Sequence, residues 1–169
     1  MTRVFFYGSL RDPELTEIVL GRPVAPEALR PARAPGHATL RMKGEAYPLL
    51  VPAEGRTAEG VVLMDAGPDD MERLAFFEEA EYGLADIRVE TPEGPVDAVH
   101  FRATEKTPST GLPWDFGHWR RHERTAALEA ARELMHLYGR VPVEDIDLYW
   151  RGIKTRAMQR ARSEERRVG

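Results

Sequence analysis

The sequence predicts an α+β fold in which a β-rich part precedes a helical part. Short apolar runs, separated by glycine or proline, fill roughly the first 100 residues and are typical of strands. The first run, residues 3–6, is aromatic and β-branched, which favours a pleated surface. Beyond residue 112, apolar residues recur at steps of three and four, as they do on one face of a helix.

The composition indicates a protein with a real hydrophobic core and a polar surface. Of 169 residues, 42% are hydrophobic and 31% are charged. The net charge of −4 gives no electrostatic reason to expect nucleic acid as a partner. The absence of cysteine excludes disulfides, a thiol nucleophile and cysteine-ligated metal, and it fits a reducing cytosol. No apolar run approaches the roughly 20 residues of a membrane span, and no signal-peptide cleavage site is evident. We therefore expect a cytoplasmic protein without a membrane or nucleic-acid partner.

The first strand ends at a Tyr-Gly-Ser-Leu turn, residues 7–10, where Gly8 allows the backbone to turn. Asp12, followed by a proline, predicts the start of a helix that runs to Leu20 and is stopped by Gly21. A strand end, a tight turn and a helix start leave several backbone N–H groups unpaired. Such groups can bind an anion, for example a carboxylate.

Prolines between residues 23 and 35 predict an extended or turning connection after this helix. Three strands should follow, the second of them bent or at a sheet edge because it contains prolines: residues 37–42, 47–52 and 57–64.

A second helix should open at Gly67, with a proline at its first position, and end near Ala80. Two further strands, residues 85–91 and 96–103, should form a hairpin through the Pro-Glu-Gly-Pro connection between them.

The composition shifts to Thr, Pro, Ser, Lys and Glu over residues 104–111, which predicts a boundary between a domain at 1–104 and a helical extension at 112–163. Asp115 should cap a helix at 117–138, and a last helix should span 143–162. Its predicted buried stripe is Ile146, Trp150, Ile153, Ala157 and Ala161. Residues 151–167 contain seven Arg or Lys and only two Glu, so this segment is basic. A solvated helix face explains this charge best, and contact with a partner or an anion is the alternative.

Four segments, in order and spacing, resemble the γ-glutamylcyclotransferase-like (AIG2-like) family over residues 3–103. They are the 7–10 turn, the pair Tyr47-Pro48, the run Glu59-Gly60-Val61-Val62, and the segment from Leu74 to Glu79 with a tyrosine soon after it. The resemblance implies a small mixed β-barrel with flanking helices. The two-helix C-terminal extension would then pack on this domain or on a partner, as a cover, a homodimer contact or a docking surface.

The resemblance also implies a catalytic carboxylate at Glu78. The substrate contacts that it implies are Tyr7, Gly8, Ser9, Leu10, Tyr47 and Tyr82. Neither a metal nor another cofactor is implied, and the partner is a small γ-glutamyl compound. Two positions depart from the family pattern: Ala75 stands where Asp is usual, and Glu79 where Gly is usual. Of the two adjacent acids, helical geometry favours Glu78, because it shares the inward side with Leu74.

The implied chemistry is an internal acyl transfer, in which the α-amine of a γ-glutamyl compound attacks its own γ-carbonyl. The products are 5-oxoproline and a released amine or amino acid. A single carboxylate can take the proton from the attacking amine and give it to the leaving one. We expect Phe76, Phe77 and Tyr82 to shield that carboxylate partly from water.

Three other polar features of the sequence also bear on the site. Ser9 lacks a Gly-x-Ser-x-Gly context and a histidine nearby in sequence, so a structural serine is favoured over a nucleophile. His118 and His122 have the spacing of two zinc ligands without the H-E-x-x-H pattern, which favours a surface or packing pair. Strand alternation leaves open whether Arg88 and His100 face the site.

The three tryptophans should anchor the helical tail and not bind a ligand. The alternative to an enzyme is a non-catalytic binding or interaction module on the same fold, which the two departures and the long tail motivate.

Overall fold

The computed structural model describes residues 1–44, 47–78, 83–102 and 109–168, the side chain of Val168 excepted. The strands within these ranges are β1 (Thr2–Phe6), β2 (Leu29–Met42), β3 (Pro48–Ala66), β4 (Leu84–Thr91), β5 (Gly94–Phe101) and β6 (Ser109–Pro113). The helices are α1 (Pro13–Leu20), α2 (Pro68–Phe77), α3 (Phe116–His122), α4 (Arg124–His136) and α5 (Ile146–Val168). Short 3-10 turns lie at Ser9–Arg11, Pro26–Ala28 and Val143–Asp145.

The strands form one mixed sheet in the order β3-β1-β5-β4-β2-β6, and β2 pairs with β3 as well. Only the β1–β5 pair is parallel among the described pairings; it joins Val4 to Val99. Because β2 also pairs with β3, the strands β3, β1, β5, β4 and β2 form a closed ring of pairings. This arrangement of strands and helices confirms the predicted α+β class.

The chain starts and stops α1 as predicted. The Asp12 carboxylate accepts a hydrogen bond from the backbone N–H of Leu15 at 3.1 Å, and Gly21 adopts the left-handed conformation at φ 68°. The predicted hairpin is also present: β4 and β5 are antiparallel, and Thr91 pairs with Gly94 across a two-residue loop.

The predicted connection through the prolines is wrong in part, because β2 begins at Leu29 and continues through Pro31 and Pro35. The predicted strands at 47–52 and 57–64 are likewise a single strand, β3. Proline has a φ that suits an extended chain and is costly only where its missing N–H faces a partner strand. A register shift between Pro35 and His37, with Gly36 at φ 75°, takes up the irregularity.

The predicted helix at 117–138 is two helices, since Glu123 leaves helical geometry at φ −122° and separates α3 from α4. Asp115 caps α3 as predicted; its carboxylate accepts from the N–H of Gly117 at 2.8 Å. Strand β6 was not predicted, because its residues are exposed and show no alternation. Helix α5 continues past its predicted end at residue 162, through Glu and Arg residues that favour helices.

Two hydrophobic clusters hold the fold together, on the two faces of β1. Val4 and Phe6 pack with the helices, whereas Phe5 packs with residues of the other strands. The helix cluster also contains Trp119 and Ile153, so α3 and α5 share a core with the N-terminal strand. Four residues of the predicted α5 stripe, Ile146, Ile153, Ala157 and Ala161, are buried, and Trp150 is half-buried.

No helix in the described part of the chain is long and apolar enough to cross a membrane.

Candidate active site

A cavity of about 660 Å³ lies between the 7–10 turn and the C-terminal helices. Its described lining comes from the turn, residues 47 and 48, the end of α2, the end of β5 and one side of α3, α4 and α5. This volume falls within the roughly 300–1,000 Å³ of small-molecule sites.

The 7–10 turn is fixed on both sides by hydrogen bonds. The Tyr7 hydroxyl donates to the carbonyl of Phe101, at the end of β5, at 2.7 Å. The hydroxyl of Thr16, which is fully buried in α1, donates to the carbonyl of Leu10 at 2.7 Å. The turn is therefore held between the sheet and the first helix, and its backbone has a defined position at the cavity wall.

Gly8 has a close neighbour on the side where a β-carbon would lie. Its φ is −120°, which other residues adopt as well. A β-carbon at this position would lie 3.0 Å from Cδ of Pro48. Packing against the Tyr47-Pro48 segment is thus a reason for glycine at this position besides the predicted one, that glycine allows the chain to turn. Tyr47 itself is 36% exposed and lines the cavity.

Gly60, in another of the segments that resemble the family, also has a close neighbour. A β-carbon on Gly60 in β3 would lie 2.2 Å from the carbonyl oxygen of Phe6. Any larger residue would push β3 away from β1 and move the start of the 7–10 turn.

Helix α2 carries Glu78 to the cavity. At its start, the Asp70 carboxylate accepts from the N–H of Gly67 and from two nitrogens of Arg22, at 2.9–3.0 Å. The guanidinium of Arg22 holds the pKa of Asp70 below its usual range. At the other end, the N–H of Glu78 donates to the carbonyl of fully buried Leu74 at 2.8 Å. Helix α2 is thereby fixed at both ends.

Glu78 is half-buried and lines the same cavity as the 7–10 turn. Phe77 lines the cavity beside it, whereas Phe76 is buried against the ring of Tyr138, with ring centroids 5.4 Å apart. Of the two phenylalanines expected to shield Glu78, Phe77 is the one that lines the cavity. Tyr82 and Glu79 lie outside the described residues, as does the predicted helix end near Ala80.

His100 packs against Tyr7, the first residue of the turn. It is 8% exposed, and its ring stands nearly perpendicular to that of Tyr7, with centroids 6.0 Å apart. Burial lowers the pKa of His100, because it disfavours the charged imidazolium. Arg88, in contrast, lies on the surface of the sheet beside Asp97, at 3.5 Å.

The two histidines of α3 lie side by side on an exposed surface, with ring centroids 4.6 Å apart. His118 lies 3.7 Å from the Glu123 carboxylate, and His122 reaches the cavity. Within the described ranges, no group of three or more His, Cys, Asp or Glu side chains is placed to bind a metal ion.

Sequence reasoning missed the wall that the C-terminal helices contribute. Trp119 and Trp150 were expected only to anchor the tail; Trp119 is buried in the core, and both residues also line the cavity. Helix α4 adds four alanines to the lining: Ala126, Ala127, Ala130 and Ala131. Their spacing on one helical face is visible in the sequence, but an apolar helical face ordinarily indicates core packing.

Comparison with known proteins assigns the chain to a family. The sequence profile described as "Gamma-glutamyl cyclotransferase, AIG2-like" matches residues 4–121. The chain belongs to this family. Among its relatives, AIG2-like protein B of Arabidopsis thaliana is 30% identical over 135 residues, which cover 78% of this chain and 77% of that protein. AIG2-like protein D of the same plant is 26% identical over 137 residues, 79% and 88% of the two chains.

Two solved structures resemble this chain in their fold. One solution structure of an Arabidopsis thaliana protein has a TM-score of 0.60 and 22% identity, and covers 83% of this chain and 85% of that one. A second has a TM-score of 0.57 and 26% identity, and covers 83% and 94%. The fold of these two structures thus extends over most of this chain.

Proposed function

We propose that this chain is a γ-glutamyl cyclotransferase, which converts a γ-glutamyl amide into 5-oxoproline and a free amine or amino acid. The observation that carries the proposal is the common cavity. Glu78, at the end of α2, and the 7–10 turn, at the end of β1, line it together. A carboxylate and a row of backbone donors facing one space are what an internal aminolysis needs.

In the proposed reaction, the α-amino nitrogen bonds to the γ-carbonyl carbon and the bond from that carbon to the leaving nitrogen breaks. Glu78 accepts the proton that the attacking amine loses and returns it to the leaving nitrogen. Water is neither consumed nor released, so the atoms of the substrate account fully for the two products. The half-buried position of Glu78 supports this role, because a proton carrier must be in contact with substrate and partly screened from bulk water.

The backbone of Gly8, Ser9 and Leu10 would hold the substrate's α-carboxylate or the oxyanion that develops on the γ-carbonyl. Tyr7 would act chiefly by positioning this backbone, since its hydroxyl is bonded to Phe101. Tyr47 and Tyr82 are proposed as further substrate contacts.

The proposal includes a closed form of the sheet and a role for the tail. The ring of pairings through β2 and β3 supports a small barrel. The core shared between β1 and α5 supports an extension at 112–163 that covers the domain at 1–104. We also propose a cytoplasmic location and a small-molecule partner. The C-terminal helices are proposed to bind a second copy of the chain or a domain partner.

The test is formation of 5-oxoproline, measured by mass spectrometry, from a panel of γ-glutamyl amino acids and amines. Wild-type protein should convert at least one compound, and Glu78→Gln should lower kcat by at least about 100-fold, the lower range for loss of a general acid–base. Glu72→Gln is the matched control, because Glu72 is an exposed acid on the same helix and contacts Tyr138 outside the cavity.

Two results would contradict the proposal. In the first, Glu78→Gln retains full activity while Glu79→Gln loses it, which would move the catalytic role to the adjacent acid. In the second, no member of the panel is converted but several raise the melting temperature, which would favour a non-catalytic binding module.

A further inference from the structure

The cavity is larger than a γ-glutamyl group requires. Such a group has about nine non-hydrogen atoms, and at no more than about 30 Å³ for each water-sized atom it fills at most about 270 Å³. The cavity has about 660 Å³ and continues from the turn onto α4 and α5. More than half of it therefore lies beyond the glutamyl part of a bound substrate, along the helices.

The polarity of the described lining changes with depth. Every described lining residue that is buried is apolar, including Trp119, Ala131 and Leu134, each 2% exposed. The four charged lining residues are less buried: Glu78 and Glu123 are half-buried, and Arg41 and Lys154 are exposed. An acidic group in the interior would lose its hydration without gaining a buried cation among the described lining residues, which is costly.

We propose that α4 and α5 determine which γ-glutamyl compounds are used, by packing against the released group. That group is an uncharged hydrocarbon chain or ring, which lies on the wall formed by Ala127, Ala130, Leu134, Trp150 and Ala157. This inference rests on the proposed function and narrows it to γ-glutamyl derivatives of apolar amines. Acidic leaving groups are selected against.

The alanines of α4 make room for this group, so a larger side chain there should shorten the chain that fits. Ala127 is half-buried and lines the cavity, which makes Ala127→Leu a suitable filling variant. Thr125 is also half-buried on α4 but is not part of the lining. Thr125→Leu is therefore a matched control that adds bulk to the same helix outside the cavity.

The experiment compares the methylamide, ethylamide, propylamide and butylamide of γ-glutamate with γ-glutamyl-glutamate, as kcat/KM for 5-oxoproline formation. At about fourfold for each buried methylene, wild-type protein should prefer the butylamide to the methylamide by about 60-fold. The acidic conjugate should be the poorest substrate. Ala127→Leu should reduce the butylamide-to-methylamide ratio at least tenfold, and Thr125→Leu should leave the ratio at its wild-type value.

Equal kcat/KM across the amides, or an unchanged ratio in Ala127→Leu with the fold intact by circular dichroism, would overturn the inference. Failure of the proposed function gives a different pattern: no compound yields 5-oxoproline. In that case calorimetric binding of the same amides decides. Affinity that rises with chain length in wild-type protein, and does not rise in Ala127→Leu, supports the apolar wall. Flat or absent binding along the series contradicts it.

Discussion

At the scale of single residues, the 7–10 turn is held in place by backbone hydrogen bonds and by a close neighbour of Gly8. The carbonyls of Gly8 and Ser9 accept from the N–H groups of Arg11 and Asp12, both at 3.0 Å, which makes the short 3-10 turn. The Pro48 ring closes the space on the other side of Gly8. The position of these atoms depends on a missing side chain at residue 8, and not on the serine hydroxyl.

This predicts opposite sensitivities for two neighbouring positions. Gly8→Val places a branched side chain where even a β-carbon is 3.0 Å from Pro48. It should lower the free energy of unfolding by about 1–3 kcal/mol, as overpacking does, and abolish measurable 5-oxoproline formation. Ser9→Ala should retain most of the activity. The measurements are urea denaturation and initial rates on the best substrate; complete loss of activity in folded Ser9→Ala would show that the hydroxyl has a chemical role.

The sequence predicted that Gly8 ends a strand, but it could not reveal why. Its contact, Pro48, is forty residues away, and only the paired strands β1 and β3 bring the two together. The start and end signals of α1 do not depend on distant residues. The Asp12 cap and the Gly21 stop of α1 were predictable because their partners lie within four residues.

At the scale of elements, the helical tail is joined to the site through the start of α1. Arg124, at the first position of α4, donates from Nε to the Asp12 carboxylate at 2.6 Å, and Asp12 is 5% exposed. The hydrogen bonds that Arg124 donates to Asp12 and Glu14 raise the pKa of its guanidinium. Because Asp12 follows directly on the 3-10 turn Ser9–Arg11, this contact fixes the wall of the cavity relative to the turn.

We therefore expect Arg124→Met to destabilise the protein by about 1–2 kcal/mol. Asp12 is left as a buried carboxylate that has lost one partner and keeps its bond to the Leu15 N–H; the exposure of Arg124 reduces the effect. Arg132→Met is the control. Its contacts to Glu14 and Glu129 are exposed to solvent, and it should cost less than about 1 kcal/mol. The measurement is urea denaturation. Equal losses of unfolding free energy in the two variants would mean that the contact to Asp12 stabilises the protein no more than the exposed contacts do.

Element boundaries were predictable where sequence signals are local and not where pairing decides. The prolines predicted a loop before residue 35. Residues 29–35 instead belong to β2, because they pair with β3 in a long antiparallel register. The break at Glu123 has no glycine or proline to announce it. It coincides with the position at which Arg124 turns toward α1, a tertiary contact that sequence periodicity does not contain.

At the scale of the whole molecule, the candidate site is assembled from segments that span most of the chain. The resemblance supplied Glu78 and the 7–10 turn, and the structure brings both to one cavity. The far wall was not predicted, because Trp119 and Ala131 have the same apolar pattern whether they fill a core or line a pocket. Which of these an apolar helix face does depends on how much space the facing elements leave.

Product analysis in water enriched in oxygen-18 tests internal acyl transfer most directly. With a substrate found in the panel, wild-type protein should release one 5-oxoproline for each amine, and the 5-oxoproline should contain no heavy oxygen, since no water enters the reaction. Glu78→Gln should form neither product at a comparable rate. Release of glutamate that carries oxygen-18 in its γ-carboxylate would instead show hydrolysis, and would contradict the cyclotransferase assignment of this cavity.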